Sequence, residues 1–586
     1  MPKLPDFPIL DFSGGLVLNK SDYDMQRNEL KDTHNVELDI VGKLKRRRGY
    51  QQFGTTISGG TFSGRIVNAY SCLIESAGID SIPLFLINDD RSGINVYRLV
   101  ATSFLTTALN DGDTTITLQD NTNYGSSGIV EVGGDLITYT SKTGGTILNI
   151  TESTILLNGS YPVGTPVNEW SAAVTVSTVL GDVAGVYYTL INNVVFINGT
   201  SGSATTADGI TITAVTGEPD AIFATNYRDR IYVAGSGGSG TNASRKRVSF
   251  SNAGTATTWD SNDFFDVEDI RGEGITGLTM FNDKLYIFKT NSIFSYDEIQ
   301  LKAVQLEVGA YSHYNVEEID GILYTFCPAG IFATNGSEAK RISDPVQDYI
   351  KDFRPDYQTS SGAGDMGRIV RNTYSFSFQK KYCVYIQDTE SPKSRDDVVL
   401  VYNTLLKNWE VWSGFDDFQR IVSMKGFSCA QTWQAKEAVF GLDDTGKVYR
   451  LFNSQTTSDN ATTVGGDIIA DNISNSVGTP ISTLVETPFY TLGNPSWWKK
   501  FGSLRVLMEQ GEFQISYRLD KGDYFTDWIS LGEFKDKNSV KKLKDNTGYR
   551  IAFSITSNTQ NSIGILNGLI LEDLEAISKK TRTYAR

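Results

Sequence analysis

Only two histidines, His34 and His313, stand in the 586-residue chain, so a three-histidine metal site is excluded and a Ser-His-Asp triad would have to use one of these two. Neither sits in an HExxH run or a nucleophile elbow, and a structural role is expected for each. Carboxylate pairs are plentiful: Asp22 with Asp24, Asp111 with Asp113, Asp396 with Asp397, Asp443 with Asp444. Two carboxylates flanking a glycosidic bond would suit sugar hydrolysis. These pairs lie in turn-type sequence, where Asp caps backbone amides, and Asp443-Asp444-Thr445-Gly446 reads as a hairpin turn instead of a calcium loop. The glycine-rich run Gly235, Ser236, Gly237, Gly238, Ser239, Gly240 lacks the GxxxxGK[ST] pattern, and no helix follows to hold a phosphate. It is expected as a loop at a rim, a candidate gate if that rim borders a channel. No residue spacing supports a catalytic centre, a metal or a cofactor, and the chain is read as a non-enzyme.

Two basic clusters remain: Lys43, Lys45, Arg46, Arg47 and Arg48, and Arg245, Lys246 and Arg247. They are candidate contacts to a neighbouring subunit or another protein. The first can equally be a charged edge strand that blocks aggregation, with direct DNA contact as a third reading. Net charge is −15, which argues against a protein whose main work is neutralising phosphates. An acidic channel wall would instead repel a duplex and let it slide. The four cysteines, Cys72, Cys327, Cys383 and Cys429, lie far apart without metal spacing and are expected to be buried free thiols. Met1 to Asp6 has no apolar signal region and no run approaches about 18 apolar residues, so neither a signal peptide nor a membrane span is expected, and the protein is placed in a reducing cytoplasm.

The elements that must position these residues are strands. Tyr, Phe and Gly are abundant (28, 30 and 55), and Thr, Ser, Asn and Asp crowd between short apolar runs. The sequence Asn282-Asp283-Lys284-Leu285-Tyr286-Ile287-Phe288 followed by Ile293-Phe294 recurs 38 residues later as Asp320-Gly321-Ile322-Leu323-Tyr324-Thr325-Phe326 followed by Ile331-Phe332. A turn, an alternating strand, a second turn and another strand fill that period, as one four-stranded propeller blade requires. Weaker copies begin near Asn192, Arg228 and Lys380, with others at Pro83 to Leu99 and Ala438 to Leu451. The chain therefore reads as all-β, with a β-propeller of six or seven blades over 65–103 and 171–453. Strict alternation from Thr114 to Thr140 marks a small β module inserted at 104–170. Residues 1–64 form an N-terminal arm with a first strand, 454–480 a linker or long loop, and 481–586 a β-sandwich with a basic tail.

The stretch Asp11-Phe12-Ser13-Gly14-Gly15-Leu16, continuing through Asn28-Glu29-Leu30 and Asn35-Val36-Glu37-Leu38 to Gly42-Lys43-Leu44-Lys45-Arg46-Arg47-Arg48-Gly49-Tyr50, resembles the opening of phage tail nozzle proteins, also called tail tubular proteins. The module's Gly134-Asp135-Leu136-Ile137-Thr138-Tyr139-Thr140 is similar to β modules of phage structural proteins, and Glu486-Thr487-Pro488-Phe489 with Lys499-Lys500-Phe501 is similar to the end of the nozzle family. Together the motifs touch about a third of the chain; the Lys/Arg cluster is heavier than the family's.

The resemblance implies a bacteriophage virion structural protein. Subunits would form a ring, typically sixfold and hence a homohexamer, that extends the DNA channel below the portal and adaptor and serves DNA ejection. Its implied partners are further copies, the adaptor, tail fibres or spikes, and passing double-stranded DNA held without tight binding. Its implied place is the virion tail, after assembly in the host cytoplasm. Two alternatives stay open: a carbohydrate-binding or depolymerising tail propeller, and a tail-tip or head-closure protein of a long-tailed phage.

Overall fold

A computed structural model describes the chain except for residues 1–2, 56–63, 73–81, 90–92, 134, 151–159, 171–173, 178–186, 192–193, 199–202, 208–210, 220, 222, 236–243, 359–368, 371, 389–396, 417, 419, 426–427, 430–432, 435–436, 444–446, 453–469, 475–476, 536, 559–563 and 578–586. Five independent four-stranded antiparallel sheets follow one another along residues 187–413. They begin with the strands Tyr187–Ile191, Phe223–Tyr227, Ile275–Phe281, Val316–Ile319 and Thr373–Phe378. Two further blades are embedded in larger sheets. One is made of Gly64–Cys72, Ile82–Asp89, Gly93–Phe104 and Val174–Ser177; the other of Arg420–Lys425, Glu437–Leu442, Lys447–Leu451 and Tyr50–Thr55. The seven leading strands touch their neighbours in turn, and Arg420–Lys425 meets Gly64–Cys72, which closes the ring. The propeller therefore has seven blades, numbered here from the one that begins at Gly64.

The repeat seen in the sequence is the second strand of each blade and the turn before it. Phe281 pairs with Lys284 across the two-residue loop Asn282-Asp283, Ile319 with Ile322 across Asp320-Gly321, and Phe378 with Lys381 across Gln379-Lys380. All six loop residues have positive φ, 48° to 75°, the tight hairpin geometry that suits the twist of the flanking strands. Beyond the loop, alternate side chains of one strand face opposite neighbours. Leu285 and Ile287 join the apolar cluster shared with Ile231 and Tyr232 of blade 3, whereas Tyr286 and Phe288 join Leu323 and Cys327 of blade 5. Both faces are thus buried, so no polar alternation marks these strands.

The inserted module shares one long strand with blade 1. In Gly93–Phe104 the first half pairs with Ile82–Asp89 and Val174–Ser177, and the second half with Pro166–Trp170. The module has its own core, which includes Leu118, Val130, Ile137, Tyr139, Leu148 and Tyr161.

The sandwich corrects the domain boundaries expected from sequence. Its main strands are Thr483–Glu486, Ser503–Gln510, Phe513–Asp520, Arg550–Ser557 and Ile565–Glu572. The N-terminal arm, however, is built into it. Asp32–His34 pairs with Thr483–Glu486, while Phe7–Ile9 and Leu44–Arg46 both pair with Ile565–Glu572, and Val36–Leu38 extends that sheet. The described residues of the arm, 3–55, thus contribute to the sandwich and, through Tyr50–Thr55, the outer strand of blade 7. Strands of three residues carry no readable alternation, which is why the arm looks irregular in sequence. Of the expected linker, 454–469 lies outside the described residues, and Ala470–Ser474 pairs with Val477–Pro480 and with Tyr50–Thr55.

Candidate functional site

The propeller and sandwich meet at a joint formed by the N-terminal arm. Asn35 takes the left-handed conformation, φ 57°, which Asn tolerates better than most residues. Its Nδ2 donates to Ser413 Oγ (3.1 Å) and to the Ser482 carbonyl (2.9 Å), and its Oδ1 accepts from the Ser413 amide (2.8 Å) and from Arg47 Nε (2.7 Å). One buried amide side chain therefore ties blade 6, the sandwich and the arm together. Arg47 is fully buried; its remaining guanidinium nitrogens donate to the carbonyls of Arg48 (2.9 Å) and Ser413 (2.6 Å), and it lies 4.7 Å from the centre of the Phe415 ring.

The same seam continues through charge. Lys381 and Glu410, both buried on blade 6, pair at 3.2 Å, and Glu410 Oε1 accepts the Leu38 amide at 2.9 Å. Burial pushes the Glu410 carboxyl up; burial disfavours the Lys381 ammonium too, but Glu410 and Glu37 outweigh it and keep it protonated. Asn408 Nδ2 reaches the Ser13 carbonyl at 2.6 Å, and Trp412 Nε1 the Val36 carbonyl at 3.2 Å. Gly15, at φ 65°, packs so closely on Asn408 and Trp409 that a Cβ would lie 2.8 Å from each. The Gly-Gly segment and the arginine cluster are therefore parts of one joint.

Side chains of both basic clusters make contacts within the chain itself. Arg46 and Arg47 are buried, and burial alone lowers Arg46 to about 10. Arg46 donates to Ser557, and Lys43 pairs with Glu509 of the sandwich at the surface. Lys45 sits half-buried on the strand Leu44–Arg46, and the Arg48 carbonyl accepts from Arg47. In the second cluster Lys246 pairs with Glu268 at 2.7 Å, and Arg247 grips Asp266 with two nitrogens (2.9 and 3.2 Å) while lying 3.5 Å over the Phe264 ring. Arg245 sits in the middle of the short 3-10 turn Ser244–Lys246 and is half-buried. Lys43, Lys246 and Arg247 thus meet carboxylates of the same chain, whereas Arg46 and Arg47 meet hydroxyl, amide and carbonyl oxygens. Of the candidate gating loop, Ser236, Gly237, Gly238, Ser239 and Gly240 lie outside the described residues, and Gly235 is buried at the end of Arg230–Ala234.

The carboxylate pairs cap and pair locally. Asp22 binds Lys31 (3.1 Å), Asp24 accepts from the Ser21 hydroxyl (2.6 Å), Asp113 from the Asn110 amide (2.7 Å) and Asp443 from the Lys447 amide (2.7 Å). Asp397 is buried and accepts the Asp388 amide at 3.0 Å, while Asp396 and Asp444 lie outside the described residues. Cys327 and Cys383 are buried free thiols that burial pushes up; the side chains of Cys72 and Cys429 are outside the described set. His34 pairs with Asp32 at 3.2 Å.

His313 is the other titratable group of note. It lines a cavity of about 220 Å³ among the leading strands of blades 1, 5, 6 and 7, together with Tyr314, Glu317, Tyr374, Arg420 and Ser423. Burial, and secondarily Arg420, lower His313 to about 4, so it is neutral at neutral pH and its Nδ1 accepts the Leu278 amide at 3.4 Å. The Arg420 guanidinium lies 3.7 Å from the Tyr314 ring centre and 5.4 Å from that of Tyr374. A neutral imidazole accepting a backbone amide, beside a guanidinium on aromatic rings, suits packing and polar contact more than proton transfer at neutral pH. Among the described residues no group of three or more His, Cys, Asp or Glu side chains is gathered to hold a metal, and no helix is long and apolar enough to cross a membrane.

No family profile matches the chain. A search of curated proteins likewise returns no match. Among solved structures, the WD40 domain of Toxoplasma gondii coronin is 8% identical, with 74% of this chain and 90% of that one covered and a TM-score of 0.34. The Pan2 WD40 domain of Neurospora crassa is 9% identical over 62% of this chain and 97% of its own (TM-score 0.28), and BamB of Moraxella catarrhalis 10% identical over 60% and 99% (TM-score 0.28). The class is fixed by the sheet order itself: an all-β, seven-bladed propeller with a β module inserted in blade 1 and a β-sandwich locked to blade 6.

Proposed function

We propose that the chain is a structural subunit of a bacteriophage tail nozzle, a ring that extends the DNA channel and conducts the genome during ejection, and that it is not an enzyme. One observation carries the reading. The residues that resemble the nozzle family's opening, Gly14 and Gly15, Asn35 to Leu38 and Gly42 to Tyr50, are those that build the joint between propeller and sandwich. A motif with a mechanical task suits a protein whose work lies in holding domains at a fixed angle within an assembly. The net charge of −15 is consistent with a wall that does not retain DNA.

In this reading, copies of the chain assemble with an adaptor above and fibres or spikes alongside, in the virion tail. The test is light scattering and electron microscopy of the purified full-length chain. Closed rings, sixfold by the family resemblance, are expected; a strictly monomeric species at all concentrations and salt conditions, alone and with adaptor, would refute it.

A further inference from the structure

A groove of about 610 Å³ runs between the outer parts of blades 5 and 6, a size within the range of ligand-binding clefts, about 300–1,000 Å³. Its floor is apolar: Ile322, Ala333, Ile342, Pro345 and the edges of Tyr402 and Trp409. The aromatic floor is held in place, since Tyr402 and Trp409 pack as a tilted pair with ring centres 5.0 Å apart and Trp409 Nε1 donates to the Ile342 carbonyl at 2.8 Å. On one side lies the outermost strand of blade 5, Ala339–Arg341, only three residues long and the last in its sheet. On the other lies the hairpin turn of blade 6 that carries Lys407 at φ 58°.

The charge around this groove is not internally balanced. Arg341 is matched by Asp344 at 3.1 Å. Lys340 and Lys407, both exposed, have no ion pair among the described residues, and Glu338 is the one other acidic group in the lining. Lys340 and Lys407 thus stand at an apolar groove without a carboxylate of their own, and the lining carries three cations, Lys340, Arg341 and Lys407, against two carboxylates, Glu338 and Asp344.

We infer that this groove binds an extended acidic peptide of a partner protein, with apolar side chains on the floor between blades 5 and 6 and flanking carboxylates on Lys340 and Lys407. The open edge of Ala339–Arg341 offers backbone groups to the same segment by strand addition. The inference is independent of ring formation: it concerns one face of one subunit and holds for a monomer.

The probe is a fluorescein-labelled hexapeptide with two central leucines flanked by glutamates, titrated against the full-length chain by anisotropy. Saturable binding is expected, weakened at least tenfold by glutamine in place of the glutamates, by 0.5 M salt, and by the double variant Lys340→Glu/Lys407→Glu. Both lysines are exposed, so that variant keeps the native melting midpoint. Ala333→Phe fills the floor without touching charge and is expected to weaken binding similarly. No saturation up to millimolar peptide, equal affinity for the glutamine peptide, or undiminished binding to the lysine double variant each overturns the inference. Binding of a phosphate oligomer in place of the peptide would overturn it as well, marking a general anion patch.

Discussion

Arg47 shows how a side chain that looks made for another molecule is consumed by its own fold. Its guanidinium is buried and shared between Asn35, the Arg48 carbonyl and the Ser413 carbonyl. Arg47→Ala removes all three of these hydrogen bonds from a buried seam, at roughly 1–3 kcal/mol for each acceptor left unsatisfied. A fall of several kcal/mol in urea stability is expected, whereas Lys43→Ala, which removes only the surface pair with Glu509, leaves the midpoint unchanged. Equal effects of the two substitutions would refute the assignment. His313 makes a second prediction at this scale. Folded His313 stays neutral down to about pH 4, while an unfolded histidine takes up a proton near 6.5. Between those values the unfolded state binds the extra proton, so stability falls as pH drops from about 6.5 to about 4, with a slope of up to about 1.4 kcal/mol per pH unit. In His313→Gln, which keeps an acceptor for the Leu278 amide, that part of the slope disappears; superimposable pH profiles for the two proteins would contradict it.

Among elements, the blade is the unit legible in sequence. Its signature came from the two-residue turns at Asn282-Asp283 and Asp320-Gly321 and from the aromatic strand that follows each, features set within a dozen residues. The sandwich's long strands were legible for the same reason. The arm was not: Asp32–His34, Val36–Leu38 and Leu44–Arg46 are three residues each, and although Val36–Leu38 pairs with the nearby Leu44–Arg46, the sandwich strands that Asp32–His34 and Leu44–Arg46 join lie more than 400 residues away. The same distance hid the contacts of Lys43 with Glu509 and of Arg46 with Ser557, whereas capping by carboxylates such as Asp24 and Asp113 is local and could be read. The pairing makes a direct forecast. Residues 481–586 alone leave Thr483–Glu486 and Ile565–Glu572 without the arm strands, exposing open edges and part of the core around Leu30, Val36 and Leu44. That fragment is expected to give a collapsed, poorly dispersed NMR spectrum, and fusion of residues 1–48 through a flexible linker to restore dispersion; a well-dispersed spectrum from the fragment alone would refute it.

At the scale of the whole molecule, the chain leaves the sandwich after Leu44–Arg46, supplies the outer strand of blade 7 with Tyr50–Thr55, runs the full circle of blades and returns to the sandwich. The propeller ring is thereby closed by a strand from the arm, and both domains share the joint at Asn35 and Arg47. Calorimetry of the native chain is expected to show a single cooperative transition, and Arg47→Ala to split it into two; two well-separated transitions already in the native protein would mean that the joint does not couple the domains. Such coupling would suit the proposed role as a subunit of a ring. The claim that the chain is a tail component is tested most directly by gold-labelled antibody against it, applied to intact phage particles that encode it and imaged by electron microscopy. Label at the tail directly below the head is the predicted result, and particles that carry no label, or carry it only on the capsid shell, would contradict the account.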